Sequence, residues 1–402
     1  MIYKRKISEE ILKFINSDEV IVLHGARQVG KTHILLWLQK RLAERKNDVY
    51  YIDLEDSRYK KILDRGVNEF IDHLKEEGHA PRSGKKTFVI VDEIQYLTNP
   101  SSFLKLVADH HKNIKLIVSG SSSFEIKSKF KDSLVGRTIN FEIFNLSFEE
   151  YLVFKRYYFN PRLKATEKKK EELKLLYKEF VLFGGYPGIA LTEETEIKEK
   201  RLQQIIDTYI RKDIKELADV ENLDKFNSLL EILAAQSGQL LNVKELASTC
   251  GLSAPTVEKY LFILEQTYII KLIRPYSRNI RSELSKTPKV FFFDSGIMQI
   301  LWLKSLQKEI IGNVFETSIF SELVKKYGRE NIRFWRTKDK KEIDFIIEKG
   351  NRVIPAEVKI NFHKVNLSAV KFFVKKYKIE KYAVVGLEGY EDKKGYVYPW
   401  EL

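Results

Sequence analysis

The sequence predicts an α/β protein: a parallel sheet wrapped in helices, then a helical stretch, then a second, smaller α/β part. Three observations carry this. Four short Val- and Ile-rich runs in the first half alternate with segments of helical length. The middle of the chain turns charged and helix-periodic, and Gly312–Leu402 returns to strand-like runs. A length of 402 residues allows two or three domains. With 44% hydrophobic and 12% aromatic residues the chain has material for packed cores and does not read as disordered.

The runs are Val20–Leu23, Val49–Asp53, Thr87–Val91 and Ile114–Val118, each followed by polar residues or Gly. Near-continuous apolar runs suit strands buried on both faces. His33–Arg45 and Ser101–His110 between them have helical length and spacing, which makes a parallel sheet covered by helices. Tyr151–Phe180 holds nine Lys/Arg and four Asp/Glu, and its part Lys164–Glu179 reads as a solvated helical insert. Helical patterning continues over Glu199–Gln236. Lys271–Lys289, with six basic residues, one acidic residue and two prolines, reads as a linker or an exposed basic strip. In the tail, Ile332–Trp335, Ile343–Ile347, Val353–Ile360 and Tyr382–Val385 read as strands. The expected domains are 1–210, 211–284 and 285–402.

Seventy Lys and Arg against 56 Asp and Glu leave a formal charge of +14, which fits a nucleic-acid partner and equally a lysine-rich surface serving solubility. One cysteine excludes a disulfide framework and any multi-cysteine zinc or iron–sulfur site. No run of 18 apolar residues exists, so no membrane span is expected. The segment Met1–Phe14 lacks the apolar core of a signal peptide, and a cytoplasmic setting is expected.

Gly25-Ala26-Arg27-Gln28-Val29-Gly30-Lys31-Thr32 matches G-x-x-x-x-G-K-[ST], follows a strand run and opens a helix. Glycines let the loop N–H groups converge on phosphate oxygens, and the helix N-terminus adds a favourable dipole. Lys31 is expected to reach the β- and γ-phosphates of ATP and Thr32 to place its hydroxyl on Mg²⁺. Thr87–Val91 ends in Asp92-Glu93, putting two carboxylates at the carboxyl edge of the sheet. Asp92 is the expected Mg²⁺ partner, and Glu93 is placed to orient and polarise the attacking water. After Ile114–Val118, Ser119 or Ser121 is the candidate to sense the γ-phosphate; a plain Ser/Gly turn is the other reading. Arg137 either reaches the nucleotide of a neighbouring subunit in a homo-oligomer or is an ion-paired surface residue. A GTPase would carry a guanine-reading Asn-Lys-x-Asp, which the chain lacks.

The loop Gly25–Thr32, Val91-Asp92-Glu93, Gly120-Ser121, Leu134-Val135-Gly136-Arg137, Leu146-Ser147-Phe148-Glu149, Phe183-Gly184-Gly185-Tyr186-Pro187 and Tyr209–Asp213 occur in one order. In that combination the chain resembles the AAA-type ATPases of archaea and bacteria that join an N-terminal P-loop domain to a C-terminal domain long catalogued as uncharacterised. The resemblance implies an AAA-like sheet order and places Gly185 and Pro187 against the nucleotide base.

Asn242–Cys250, the turn Gly251-Leu252-Ser253 and the stretch Ala254–Thr267 read as a helix-turn-helix, with Ser253 as N-cap and Pro255 in the first turn. Tyr268–Ile273 reads as a wing strand, completing a winged helix. The second helix would present Thr256, Lys259 and Tyr260 outward, yet Glu258 and Glu265 leave it short of a basic face. A DNA reader and a lid or protein-contact module both fit.

In the tail, Asp344 and Glu357 are spaced for a hairpin, Glu357 and Lys359 alternate onto one sheet face, and Glu316 opens a helix upstream. Carboxylates with a lysine on adjacent strands suit a metal ion and an attacked phosphate. The set resembles the restriction-endonuclease-like PD-(D/E)xK core, with Ile343 standing where its proline would be. The resemblance implies metal binding by Asp344 and Glu357, positioning of the nucleophile by Lys359, and assistance from Glu316. Arg333, Arg336, Lys338, Lys340 and Lys341, with Lys371, Lys375, Lys376 and Lys378, would form a basic rim. The expectation is an ATP- and Mg²⁺-dependent, DNA-associated ATPase with a nuclease-like tail. The alternative is a nucleotide-dependent switch or scaffold for a protein partner, with an inactive nuclease fold.

Overall fold

The computed structural model of the chain describes residues 2–80, 85–120, 134–161, 165–213, 220–277, 287–350, 352–390 and 392–402, the side chains of 211–213 excepted. The chain divides into two compact units, Met1–Asn145 and Leu146–Leu402.

The first unit is built on five strands: β1 (Val20–His24), β2 (Asp48–Asp53), β3 (Thr87–Asp92), β4 (Ile114–Gly120) and β5 (Thr138–Glu142). They run in the order β2-β3-β4-β1-β5, with every neighbouring pair parallel. The first four lie on the predicted apolar runs, and β1, β3 and β4 are buried at every position. Each fully buried Val, Ile or Leu contributes about 1.5–3 kcal/mol. Val22, Val89, Val91, Leu116 and Val118 share one core with Phe70, Leu74, Phe103 and Leu104 from the helices Val67–Glu76 and Pro100–His110. The alternate residues Ile21, Leu23, Ile90 and Ile117 are buried as well. β5 has no continuous apolar run because it is an edge strand with only Phe141 buried, and the sequence reading did not single it out. Parallel pairing puts the ends of β1 and β3 on one edge of the sheet with β4 between them. At a strand edge of this kind an open α/β sheet offers a ligand crevice.

In the second unit the helices Phe148–Phe154 and Glu167–Phe183 bring Phe148, Tyr177 and Phe180 together, and Phe148 and Tyr177 both contact Trp400, with ring centroids 4.8–6.3 Å apart. Glu322, on the helix Gly312–Tyr327, accepts the Phe148 N–H at 2.9 Å, and Lys325 donates to the Leu146 carbonyl at 2.8 Å. Packing of this kind moves the boundary expected at 210 back to 145/146. The expected boundary at 284 falls between two paired strands, β6 (Ile270–Ile273) and β7 (Lys289–Phe292), and lies inside the second compact unit. The helix Glu167–Phe183 is amphipathic rather than a solvated insert: it buries Leu173, Tyr177, Phe180 and Val181, and pairs Lys170 with Glu167 at 2.6 Å and Lys174 with Glu171 at 2.7 Å. Lys164 lies outside the described residues.

The helices Val243–Cys250 and Ala254–Gln266 meet at Gly251, whose left-handed backbone (φ +62°) ends the first, while Ser253 caps the second by accepting the Thr256 N–H. The antiparallel hairpin β6–β7 follows, and Leu240 bridges to Lys289. Tyr260 does not face outward: it lies with Val257, Leu261 and Leu264 on the buried stripe and meets Phe226 edge-on at 5.2 Å. The outward positions are Glu258, Lys259 and Phe262.

The last sheet contains β8 (Ile332–Arg336), β9 (Glu342–Lys349), β10 (Arg352–Val358), β11 (Ala383–Val385) and β12 (Tyr396–Val397), ordered β12-β11-β10-β9-β8. β8–β9 and β9–β10 are antiparallel; β10–β11 and β11–β12 are parallel. The helix Ser368–Tyr377 packs Val370 and Phe373 against Trp335, Ile343 and Ile346. Among the described residues no helix is long and apolar enough to cross a membrane.

Candidate functional site

The glycine loop leaves β1 at His24 and enters the helix Lys31–Glu44 through Gly30, whose φ of +97° lies in the left-handed region. A Cβ on Gly25 would stand 2.1 Å from the Ile143 carbonyl oxygen, so only glycine fits there. Gln28 is also left-handed (φ +61°). Ala26 and Val29 are buried, while Arg27, Gln28 and Thr32 are exposed, which leaves the Thr32 hydroxyl open at the first helical turn. The Lys31 ammonium donates to the carbonyls of Gly25 at 3.0 Å and Ala26 at 2.7 Å. Arg5, which the sequence reading passed over, reaches back and donates to the Val29 carbonyl at 2.8 Å and the Phe144 carbonyl at 3.0 Å. It ties the loop to the chain leaving β5.

Asp92 closes β3 and is buried. Its two oxygens are held by neutral donors. Tyr51 Oη donates at 3.0 Å, the Glu93 N–H donates at 3.1 Å, and the Ser119 hydroxyl hydrogen-bonds to the oxygen that accepts from Glu93. Ser119 is fully buried and its hydroxyl also accepts the Glu93 N–H at 3.2 Å, so it braces the carboxylate pair from beneath. Ser121 lies outside the described residues. Glu93 sits in the left-handed region (φ +56°), and Gln95 donates to its carboxylate. Burial pushes the Glu93 carboxyl above its usual range, with Asp92 adding and Lys31, Gln95 and Arg27 opposing. Lys31 and Arg27 act on the Glu93 carboxyl, so loop and carboxylates share one site, and a hydrogen-bonded Asp92 together with the exposed Thr32 suits Mg²⁺, whose carboxylate ligands need such support.

Arg137 is placed elsewhere. It donates to Asp109 at 2.7 Å, and its carbonyl accepts the Val20 N–H at the start of β1, the opposite edge of the sheet from the loop. Four residues of strand, about 13 Å, separate its backbone from that edge. Gly185 and Pro187 lie in the second unit. The Gly185 N–H donates to Asp294 at 2.8 Å, and a Cβ on Gly184 would stand 2.2 Å from that carboxylate. Close approach of Asp294 thus accounts for the glycine at 184; Asp294 also caps the helix Ser295–Leu303.

The second carboxylate pair sits on the β9–β10 hairpin. Ala356 pairs with Phe345, so the next residues along, Glu357 and Asp344, face each other. Both are buried. Lys359 stands between them, 2.9 Å from Glu357 and 3.3 Å from Asp344, and Asp344 also accepts the Val358 N–H at 2.8 Å. The two carboxylates outweigh the burial of Lys359 and raise its ammonium above its ordinary value. Burial, with Asp344 adding, pushes Glu357 up to about 7 and Glu316 up to about 8. Lys289 reaches Glu342 at 2.6 Å and Glu316 at 3.8 Å, and Arg336 reaches Glu342 at 3.2 Å. The sequence reading placed Lys289 on an exposed strip, yet it is 3% exposed: its apolar neighbours Val290–Phe292 were the available signal. Among the described residues no three His, Cys, Asp or Glu side chains converge to hold a metal ion. Glu357 Oε2 and Glu316 Oε1, however, are buried without a hydrogen-bond partner. The donor set fits a cation that keeps waters and takes one or two carboxylates, as Mg²⁺ does.

Residues 17–152 match the family model of the AAA domain. Residues 174–308 and 311–401 each match a model described as a domain of unknown function. An uncharacterized protein of Haemophilus influenzae is 26% identical over 373 residues, covering 89% of this chain and 86% of its own. One from Methanocaldococcus jannaschii is 28% identical over 378 residues, covering 88% and 81%. Among solved structures, the Walker-type ATPase of Pyrococcus abyssi aligns with a TM-score of 0.47 at 16% identity, over 75% of this chain and 96% of its own. The phosphate loop, the Asp-Glu pair and the strand between them all lie within residues 17–152, the stretch that matches the AAA domain model.

Proposed function

We propose that this chain couples Mg²⁺-dependent ATP hydrolysis in its first unit to metal-dependent handling of DNA by the tail of its second, in a cytoplasmic setting. The observation that carries the DNA part is the second buried carboxylate pair, Asp344 and Glu357, with Lys359 at hydrogen-bond distance on a chain of charge +14. At the first site, Lys31 leaves the loop carbonyls for the phosphates, Thr32 and Asp92 hold Mg²⁺, and Glu93 takes a hydrogen bond from the attacking water. Mg²⁺ supplies neutralisation of phosphate charge. The turn Gly185–Pro187 is proposed to meet the base. Arg137 is proposed to serve a neighbouring subunit's nucleotide in a homo-oligomer, since its own loop lies across the sheet. At the second site, Asp344 and Glu357 would hold the metal, Glu316 would assist, and Lys359 would orient the water that attacks a phosphodiester.

A second reading has its own observation. Lys359 already neutralises the pair it would serve, as in a scaffold that has lost turnover, and the chain would then switch a protein partner with its nucleotide state. Incubation with Mg²⁺ or Mn²⁺ and duplex, single-stranded or branched DNA, beside Asp344→Ala and Lys359→Ala, separates the two. Cleavage by the wild type that both substitutions abolish supports the nuclease; cleavage that survives in both rejects this site.

A further inference from the structure

Six lysines gather at the β8–β9 turn (Lys338, Lys340, Lys341) and on the helix Ser368–Tyr377 (Lys371, Lys375, Lys376). All are exposed, and none is ion-paired to a described acid. Elsewhere in the same unit lysines find acids, as Lys155, Lys198 and Lys271 do. Among the six lies Phe372. Its neighbour Phe373 is buried in the core, but Phe372 is 41% exposed. The Lys341 ammonium stands 4.3 Å from its ring centroid and that of Lys376 6.0 Å. The Trp335 ring supports it from behind at 6.0 Å, tilted by 32°. One side of Phe372 rests on the core through Trp335, and the rest of the ring stays in water at a cost in free energy. Lysines without acids offer their charge to phosphates outside the chain.

An aromatic face ringed by cations is the composition of a surface that holds unpaired bases: the ring stacks on a base and the ammonium groups follow the backbone. A duplex would use only the lysines, because its bases are stacked on one another. Along the chain the patch lies close to the carboxylate pair. Lys341 immediately precedes β9, and Asp344 is three residues on, about 10 Å along the strand.

We propose that Phe372, flanked by Lys341 and Lys376, is a stacking platform for single-stranded nucleic acid that feeds the Asp344–Glu357 site. The feeding role rests on the reading of that site as a phosphodiesterase; the platform itself is measured without metal or cleavage. Fluorescence anisotropy in EDTA, with labelled oligothymidylate, oligouridylate and a blunt duplex, and with inorganic polyphosphate as competitor, tests it on the full chain. The wild type should bind at least one single strand more tightly than the duplex. Phe372→Ala should weaken that binding about tenfold and leave polyphosphate competition unchanged. Phe372→Trp should restore binding, with indole emission quenched by the stacked base. Lys341→Gln with Lys376→Gln should weaken single strand and polyphosphate alike and flatten the salt dependence by about 0.7 per lysine. Phe372→Ala binding as the wild type does, or a duplex preferred over both single strands, overturns the platform. Single-strand binding through Phe372 without any cleavage would instead reject the phosphodiesterase and leave the platform standing.

Discussion

Two carboxylate pairs near strand ends, Asp92–Glu93 with Glu93 half-buried and Asp344–Glu357 with both buried, use the same residue types in opposite ways. The first is held by neutral donors: Tyr51, Ser119, Gln95 and a backbone N–H. Its lysine, Lys31, is turned onto loop carbonyls. In the proposed function, negative charge is thereby kept available for a cation that would arrive with the nucleotide. The second is compensated from within, by Lys359 on Asp344 and Glu357 and by Lys289 on Glu316 and Glu342. A cation there competes with ammonium groups and protons already in place. Neutral bracing thus suits a site that waits for its charge, and ion pairing suits one that is stable without it.

That contrast breaks most visibly at Glu93. Glu93→Gln should lower kcat for ATP hydrolysis by about 10²–10⁴-fold while fluorescent-nucleotide titration shows binding retained. Tyr51→Phe removes one brace from Asp92 and should cost about 10–100-fold in Mg²⁺ affinity, read from the Mg²⁺ dependence of turnover. At the second pair the larger effect should be on stability. Lys289→Met leaves Glu316 and Glu342 without their buried partner, a loss of about 3 kcal/mol in denaturant unfolding. A neutral result would mean that Lys289 is not a structural counter-ion.

The two sites should also answer to pH in different ranges. Glu357, at about 7, and Glu316, at about 8, hold protons that a metal must displace. Mn²⁺ affinity at the second site should therefore rise at least about tenfold between pH 6 and 8, the factor that Glu357 alone supplies, measured by water-proton relaxation against Asp344→Asn. In its proposed role Glu93 works ionised, so activity should be lost as pH falls through its raised value, and the acid limb of kcat/KM should lie above the ordinary glutamate range. Gln95→Met removes a hydrogen bond that favours the ionised form and should move that limb further up.

Much of the first unit was readable from sequence because its signals are contiguous. β1, β3 and β4 are buried throughout and show as apolar runs, and the loop Gly25–Thr32 packs its chemistry into eight residues. Arg5 and Tyr51 escaped notice because their roles come from tertiary hydrogen bonds that no local pattern encodes, and Gln95 because its bond to Glu93 depends on the turn that follows β3. The pairing of Asp344 with Glu357 followed from hairpin spacing, whereas Lys289 arrives from a strand of a different sheet. Tyr260 was misplaced because a helix turn was read without its full stripe, Val257, Tyr260, Leu261 and Leu264. The unit boundary at 145/146 depends on Phe148 and Tyr177 meeting Trp400, residues more than two hundred positions apart in the chain.

The most direct test of the account is Mg²⁺-dependent phosphate release from ATP by the full chain, measured for wild type, Lys31→Ala and Glu93→Gln in one assay. Turnover in the wild type alone, with nucleotide still bound by Glu93→Gln, is the predicted result. A wild type that releases no phosphate, or a Glu93→Gln variant that matches it, would contradict the account at its centre.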